Sequence, residues 1–252
     1  MRKLITILLV LFSTAIFAQS DIYMPDRPGF TYNTHLVGLH QMDLEFGFGY
    51  QYYNDGGDKT NIFYNTTAIR YGAFKWLEFR YQMDFGNVSS PTINEAGVRG
   101  ASIGMKFPIY TNDSILSIAL VTACYLPNIG KPYFAVPNYA PSVTLALQKS
   151  FGNFLLLGNS GVMWNGIDPF AYGTASVALY YFPTKFGYFI ETFCMYSDRT
   201  EPLNIADFGF VYSITDNIIM DFSVGLNYVT GFDDCFINAG LAWRIPNKNK
   251  NL

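Results

Sequence analysis

An all-β fold, an antiparallel transmembrane β-barrel of about twelve strands, is what this sequence predicts, and three observations carry it. First, half of the 252 residues are hydrophobic and 18% are aromatic, yet only 14% are charged, where a soluble domain carries about 25%. Second, apolar and polar residues alternate through many segments of roughly ten residues, the period that puts the two sets on opposite faces of a strand. Third, past the N-terminus no apolar run approaches the roughly 20 residues that a membrane helix needs. The longest, "SILSIALVTACYLP", stops at Pro127. A barrel reconciles the three, because its lipid-facing residues are diluted one in two by lumen-facing ones.

The chain opens with "MRKLITILLVLFSTAIFA", in which Arg2 and Lys3 precede an apolar core and a small-residue exit at Ala18. This pattern is a cleavable secretory signal over residues 1–18, too short to span as a helix. Residues 19–40 form a periplasmic N-terminal segment. Pro25 and Pro28 keep it out of regular helix, and Asp26 and Arg27 offer one charge of each sign. Asp26, Arg27 and Pro28 are therefore the candidates for a plug across the periplasmic mouth, with Arg27 expected to reach Asp43 or Glu45. Gly47 and Gly49 would leave room for the segment's backbone. The barrel proper is expected over residues 41–245 and a polar tail over 246–252.

The first strand shows the pattern best. Met42, Leu44, Phe46, Phe48, Tyr50 and Tyr52 alternate with Gln41, Asp43, Glu45, Gly47, Gly49 and Gln51. The same alternation recurs in "WLEFRYQMDF", "IIMDFSVGLNY" and "FINAGLAWRI", each near the 9–11 residues that a tilted strand needs to cross a bilayer. Weaker strands are placed at about 61–72, 98–108, 115–126, 142–150, 154–164, 170–182, 186–197 and 205–214. The connections after even strands are mostly tight ("GAFK", "SFGN", "PTK", "TDN"). Those after odd strands are longer on average ("NDGGDKTN", "GNVSSPTINEAG", "PNIGKPYFAVPNYAP", "NGIDP", "DRTEPLN", "TGFDD"). Short periplasmic turns and long outer loops give this parity when the N-terminus lies in the periplasm. The aromatic face meets lipid, so charge must face the lumen. Asp43, Glu45, Arg70, Glu78, Arg80, Asp84, Lys106, Glu191, Asp207, Asp221 and Arg244 all fit the inward register.

Two stretches, "MPDRPGFTYNTHLVGLHQMDLEFGFGY" and "IADFGFVYSITDNIIMDFSVGLNYV", carry a family resemblance. Asp26-Arg27-Pro28 stands ahead of a first strand with Gln41 and Glu45. "RYGAFKWLEFR" supplies an Arg-Tyr-Gly and Leu-Glu-x-Arg pair, and Asp221 with Gly225 matches a penultimate-strand motif. In these features the chain resembles the bacterial family named for a MetA pathway of phenol degradation. The resemblance implies an outer-membrane barrel with a transport role, and the metabolic part of the family's name is not read as an enzyme activity.

These readings order the possible functions. A transporter or narrow channel for a small solute, hydrophobic or aromatic in the reading that leads, comes first. Twelve strands lie between the filled interior of eight and the open channel of sixteen. The acids and bases inside form a salt-bridge lattice that fills the barrel or also lines a solute path, and the acidic excess favours cations or neutral solutes. A structural or interaction barrel, with loop 126–141 as its contact surface, is the alternative. A barrel enzyme acting on lipid comes last, since His35 and His40 precede the first strand with no Ser and carboxylate at telling spacing. Cys124, Cys194 and Cys235 show no metal-ligand spacing. No cofactor or metal is indicated. A net charge of −3 and a pI near 5.3 argue against nucleic acid and leave lipid and a solute as partners.

Overall fold

The computed structural model describes residues 23–112 and 115–245. The expected signal at 1–18 and tail at 246–252 lie outside the described residues. Twelve antiparallel strands close into one barrel, β1 pairing with β12. In order they are β1 Met42–Asp55, β2 Asp58–Phe74, β3 Leu77–Ser89, β4 Asn94–Tyr110, β5 Ser117–Tyr125 and β6 Ala140–Phe151. They continue as β7 Phe154–Met163, β8 Tyr172–Tyr181, β9 Phe186–Tyr196, β10 Leu203–Thr215, β11 Ile218–Asn227 and β12 Gly231–Ile245. The closing seam runs in unbroken register from Met42 opposite Ile245 to Tyr53 opposite Asp234.

Alternation decides the two faces. On β1, Asp43 and Glu45 are buried inside while Phe48 is 62% exposed outside. The outer surface is a belt of exposed Phe63, Val177, Ile190 and Phe208, with Tyr and Trp among them. Such a face belongs to hydrocarbon, where one Arg at mid-bilayer would cost about 2–4 kcal/mol.

The connections after β1 and β3 are shorter than expected, the second reduced to residues 90–93. The stretch after β1 is not a long loop: Gly56 and Gly57, at φ +59° and +106°, make a two-residue turn. Two glycines at positive φ form the tight hairpin whose twist matches the strands it joins. Both strands consequently run past the expected limits, to 14 and 17 residues. Residues 126–139 do form a long loop, and it folds onto the rim. The Lys131 amide donates to the Val98 carbonyl at 2.9 Å, Lys131 pairs with Glu95, and Arg99 lies 5.9 Å over Phe134.

The turns after the even strands share one mouth with Met42 and Ile245, where the barrel begins and ends, and this is the mouth expected on the periplasmic side. Residues 23–39 rise from that mouth into the lumen, turn at Gly29–Phe30 and return to meet β2, where Leu39 bridges Gly72. The segment completes the barrel's interior packing. Tyr23 joins Val211, Ile219 and Ala242. Met24 packs on Leu155, Leu157, Ala178, Tyr180 and Phe189, and Tyr32 on Ala119, Val121 and Ala146. Burying such side chains is worth roughly 1.5–3 kcal/mol each, so the path of this segment is set by apolar contact as well as by charge.

Candidate functional site

The end of the lumen nearest the β2–β3 turn holds an ion cluster built around Asp26. Its carboxylate accepts from Arg80 Nη1 at 2.5 Å and from Lys106 Nζ at 3.0 Å, and Arg70 Nε lies 3.6 Å away. Arg70 in turn holds Glu78 through Nε at 2.8 Å and Glu45 through Nη1 at 2.9 Å. Cross-strand geometry brings these groups together: Arg70 on β2 faces Arg80 on β3, and Glu78 faces Lys106 on β4. Two arginines placed side by side repel, so each needs a carboxylate. Glu78 bridges both, at 2.8 and 3.1 Å. Burial alone would raise the Asp26 carboxyl, but Arg70, Lys106 and Arg80 outweigh it and hold it well below the usual carboxylate range.

The segment's backbone is satisfied by the wall at the same time, as buried polar groups require. The Val37 amide donates to Glu78 Oε2 at 2.8 Å, the Asp26 amide to Glu45 Oε1 at 3.2 Å and the Thr34 amide to Gln148 Oε1 at 3.1 Å. Lys106 Nζ donates to the His35 carbonyl at 3.1 Å. Near the turn, the Phe30 amide donates to Glu191 Oε2 at 2.8 Å, and the Thr31 hydroxyl meets Glu191 and, at 2.8 Å, Ser176. Asn33 Nδ2 ties the two limbs by donating to the Pro25 carbonyl and to Asp26 Oδ1, at 3.0 and 2.9 Å.

Arg27 does not reach Asp43 or Glu45. It crosses the lumen to Asp221, with Nη2 3.1 Å from Oδ1 and Nε 3.3 Å from Oδ2. Its guanidinium lies on Gly47 and Gly240, which face each other across the seam; a Cβ on either would run into it. Gly47 thus makes room for a side chain and not for the segment's backbone. Gly49 lets the Tyr64 ring cross β1 to Asn238. Asp43 is taken by Arg244, at 3.2 Å, whose guanidinium stacks 4.2 Å over the Tyr23 ring.

The remaining inward positions fall outside the cluster. Asp84 accepts from Gln82 at 3.1 Å and from the Tyr125 hydroxyl. Asp207 sits opposite Glu191 in register, and the two buried carboxyl groups face each other there. His35 Nε2 is 2.6 Å from Gln148 Nε2, and His40 Nδ1 is 3.3 Å from the Tyr71 hydroxyl. The groups the sequence did not single out are neutral: Gln148, Ser176, Tyr64, Tyr125 and Asn238 on the wall, and Thr31 and Asn33 in the segment. For the wall residues the signal was present, since each is a polar or amphipathic side chain at an inward position of its strand.

Beyond the turn of the segment the lumen widens into a cavity of about 430 Å³. Asp26, Pro28 and Phe30 line it from the segment side, with Arg80 beside Asp26. Higher up it is lined by hydroxyls and amides (Gln82, Ser102, Thr144, Asn159, Thr174, Asn238) and by Tyr64, Tyr125, Trp164 and Phe193. Phe30 stacks on Phe193 at 5.1 Å between centroids, and Arg80 lies 5.0 Å over Tyr32.

Comparison with solved structures gives the same fold at low identity. An outer membrane channel from Pseudomonas putida F1 superposes with a TM-score of 0.66 at 10% identity, over 87% of this chain and 99% of that one. The KdgM porin, solved in complex with disordered oligogalacturonate, superposes with a TM-score of 0.53 at 10% identity, over 80% of this chain and 98% of that one. No curated protein matches the chain. The family model described as "Putative MetA-pathway of phenol degradation" matches residues 25–245, a span that takes in most of the lumenal segment as well as every strand. The chain belongs to that family, as a twelve-stranded barrel of the outer membrane.

Proposed function

We propose that this barrel is a channel for a small solute, shut at its periplasmic mouth by residues 23–39 acting as a plug. The observation that carries the reading is the placement of that segment. Charged groups of β2, β3, β4, β9 and β11 bond it inside the barrel, while a 430 Å³ cavity stays empty of protein on its other side. A wall that spends this many buried charges on one removable segment suits a mouth that opens. A permanently filled barrel would use apolar side chains more cheaply, because buried ion pairs are often no more stabilising than well-packed hydrophobic residues.

Apart from the Asp43–Arg244 pair and Asp207, the inward charges named from the sequence then fall into two sets. Glu45, Arg70, Glu78, Arg80, Lys106, Glu191 and Asp221 hold the plug, and Asp84 belongs to the wall above it. The solute is small, with an apolar or aromatic body and at least one polar group, because the cavity mixes aromatic rings with hydroxyls and amides. No reaction is assigned to the chain. The likeness to an outer membrane channel from Pseudomonas putida F1 supports the reading at the level of fold.

Deleting residues 20–34 behind the intact signal tests it. The variant should still show heat-modifiable mobility on gels, and its single-channel conductance in planar bilayers should exceed that of the parent. A variant that assembles and conducts as the parent does would leave the segment as a structural filling, and the protein as an interaction barrel without transport.

A further inference from the structure

We infer that Asp26 occupies, as a built-in ligand, a binding site for the carboxylate of the transported solute. The inference rests on the plug reading and adds the chemical class of what displaces it. On the barrel wall Arg70, Arg80 and Lys106 are balanced by Glu45 and Glu78 alone, three positive charges against two negative. Asp26 is the sixth charge and brings the cluster to neutrality. When the segment leaves, Arg27 goes with it and bares Asp221 on the opposite wall, while the cluster on β2 to β4 keeps one uncompensated cation at a buried place, which is strongly unfavourable there unless another anion takes over. The acidic excess of the whole chain hides this local surplus.

The geometry suits a planar carboxylate. Lys106 serves Oδ1 of Asp26 at 3.0 Å and reaches Oδ2 at 3.4 Å, while Arg80, at 2.5 Å, and Arg70, at 3.6 Å, converge on Oδ2. Guanidinium groups favour such planar partners. The site is reachable, since Arg80 and Asp26 both line the cavity and the Arg80 side chain keeps 15% of its surface exposed. A solute with one carboxylate on a small apolar or aromatic body can place the body against Tyr32, Trp164 and Phe193 and bring its charge to Arg80. Exchange of one carboxylate for another keeps the cluster neutral throughout. A neutral solute cannot make that exchange, so the selection is electrostatic and built on a penalty for the wrong ligand.

The test uses benzoate, with benzyl alcohol as its neutral counterpart and inorganic phosphate as a non-planar anion, titrated calorimetrically into the folded barrel. Asp26→Ala should bind benzoate at least about tenfold more tightly than the parent does, and about tenfold more tightly than it binds benzyl alcohol or phosphate. Adding Arg80→Gln should abolish the preference. Equal binding of benzoate and benzyl alcohol overturns the inference, and phosphate binding as tight as benzoate overturns the carboxylate assignment. Conductance of the same variants in potassium chloride separates this from the plug reading. A barrel that conducts more than the parent but shows no benzoate preference sinks the site alone; one that prefers benzoate but conducts no more sinks the plug. Should Asp26→Ala fail to assemble, Asp26→Asn and the parent itself remain. Benzoate should raise parent conductance where benzyl alcohol does not, and a parent indifferent to both overturns the proposal.

Discussion

Gly47 and Gly240 face each other across the β1–β12 seam and form a flat floor on which the Arg27 guanidinium lies. Neither glycine has a positive φ, so what they supply is the missing side chain. Gly47→Ser should leave the barrel intact, because the position faces the lumen, and should lift Arg27 away from Asp221. Charge-assisted hydrogen bonds are worth about 1.5–3 kcal/mol, and loss of a good part of that should show as faster proteinase K digestion of residues 23–39. Unchanged protection would mean that the floor does not hold Arg27. Alternation in the sequence tells which face Asp221 or Glu45 occupies. It does not tell that Arg27 prefers Asp221, 194 residues away along the chain, because that choice depends on how the closed barrel brings β11 beside β1 through β12. Asn33 and Thr31 were illegible for a different reason: an irregular segment has no period from which a facing can be read.

Each strand is specified by its two faces, and a shift of one residue would exchange them. Phe208, 61% exposed on β10 and far from either turn, tests this. Phe208→Arg should cost about 2–4 kcal/mol at mid-bilayer and sharply reduce the yield of folded, heat-modifiable barrel. Gln82→Arg, in the lumen beside Asp84, should be tolerated. Equal yields would put the faces the wrong way round. Phe79 is a weaker probe, since it lies two residues from the short turn before β3, where the penalty falls off with depth. The strands were legible because lipid leaves the outward face so little choice. Their ends were less so: "NDGGDKTN" reads as a loop by composition, yet Gly56-Gly57 needs only two residues to turn and leaves the rest to pairing.

Across the molecule, the barrel and its lumenal segment divide one interior between them. The cavity has the far end and the ion cluster the near end. The segment is already inside the barrel at Tyr23, so cleavage after Ala18 would leave only residues 19–22 ahead of it. Intact-mass measurement of the protein from outer membranes should therefore give a chain that begins at Gln19, and a chain retaining residues 1–18 would contradict the expected signal. At its other end the segment runs through Leu39 and His40 directly into β1. Once withdrawn it would remain tethered to the barrel, with Asp26 sixteen residues ahead of Met42, at an effective concentration on the order of millimolar. Rebinding would then be an intramolecular event that no dilution can slow. A competing solute would hold the mouth open only while its own concentration, weighted by affinity, exceeds that of the tethered carboxylate. The threshold for admission would thus be written into the length of a tether.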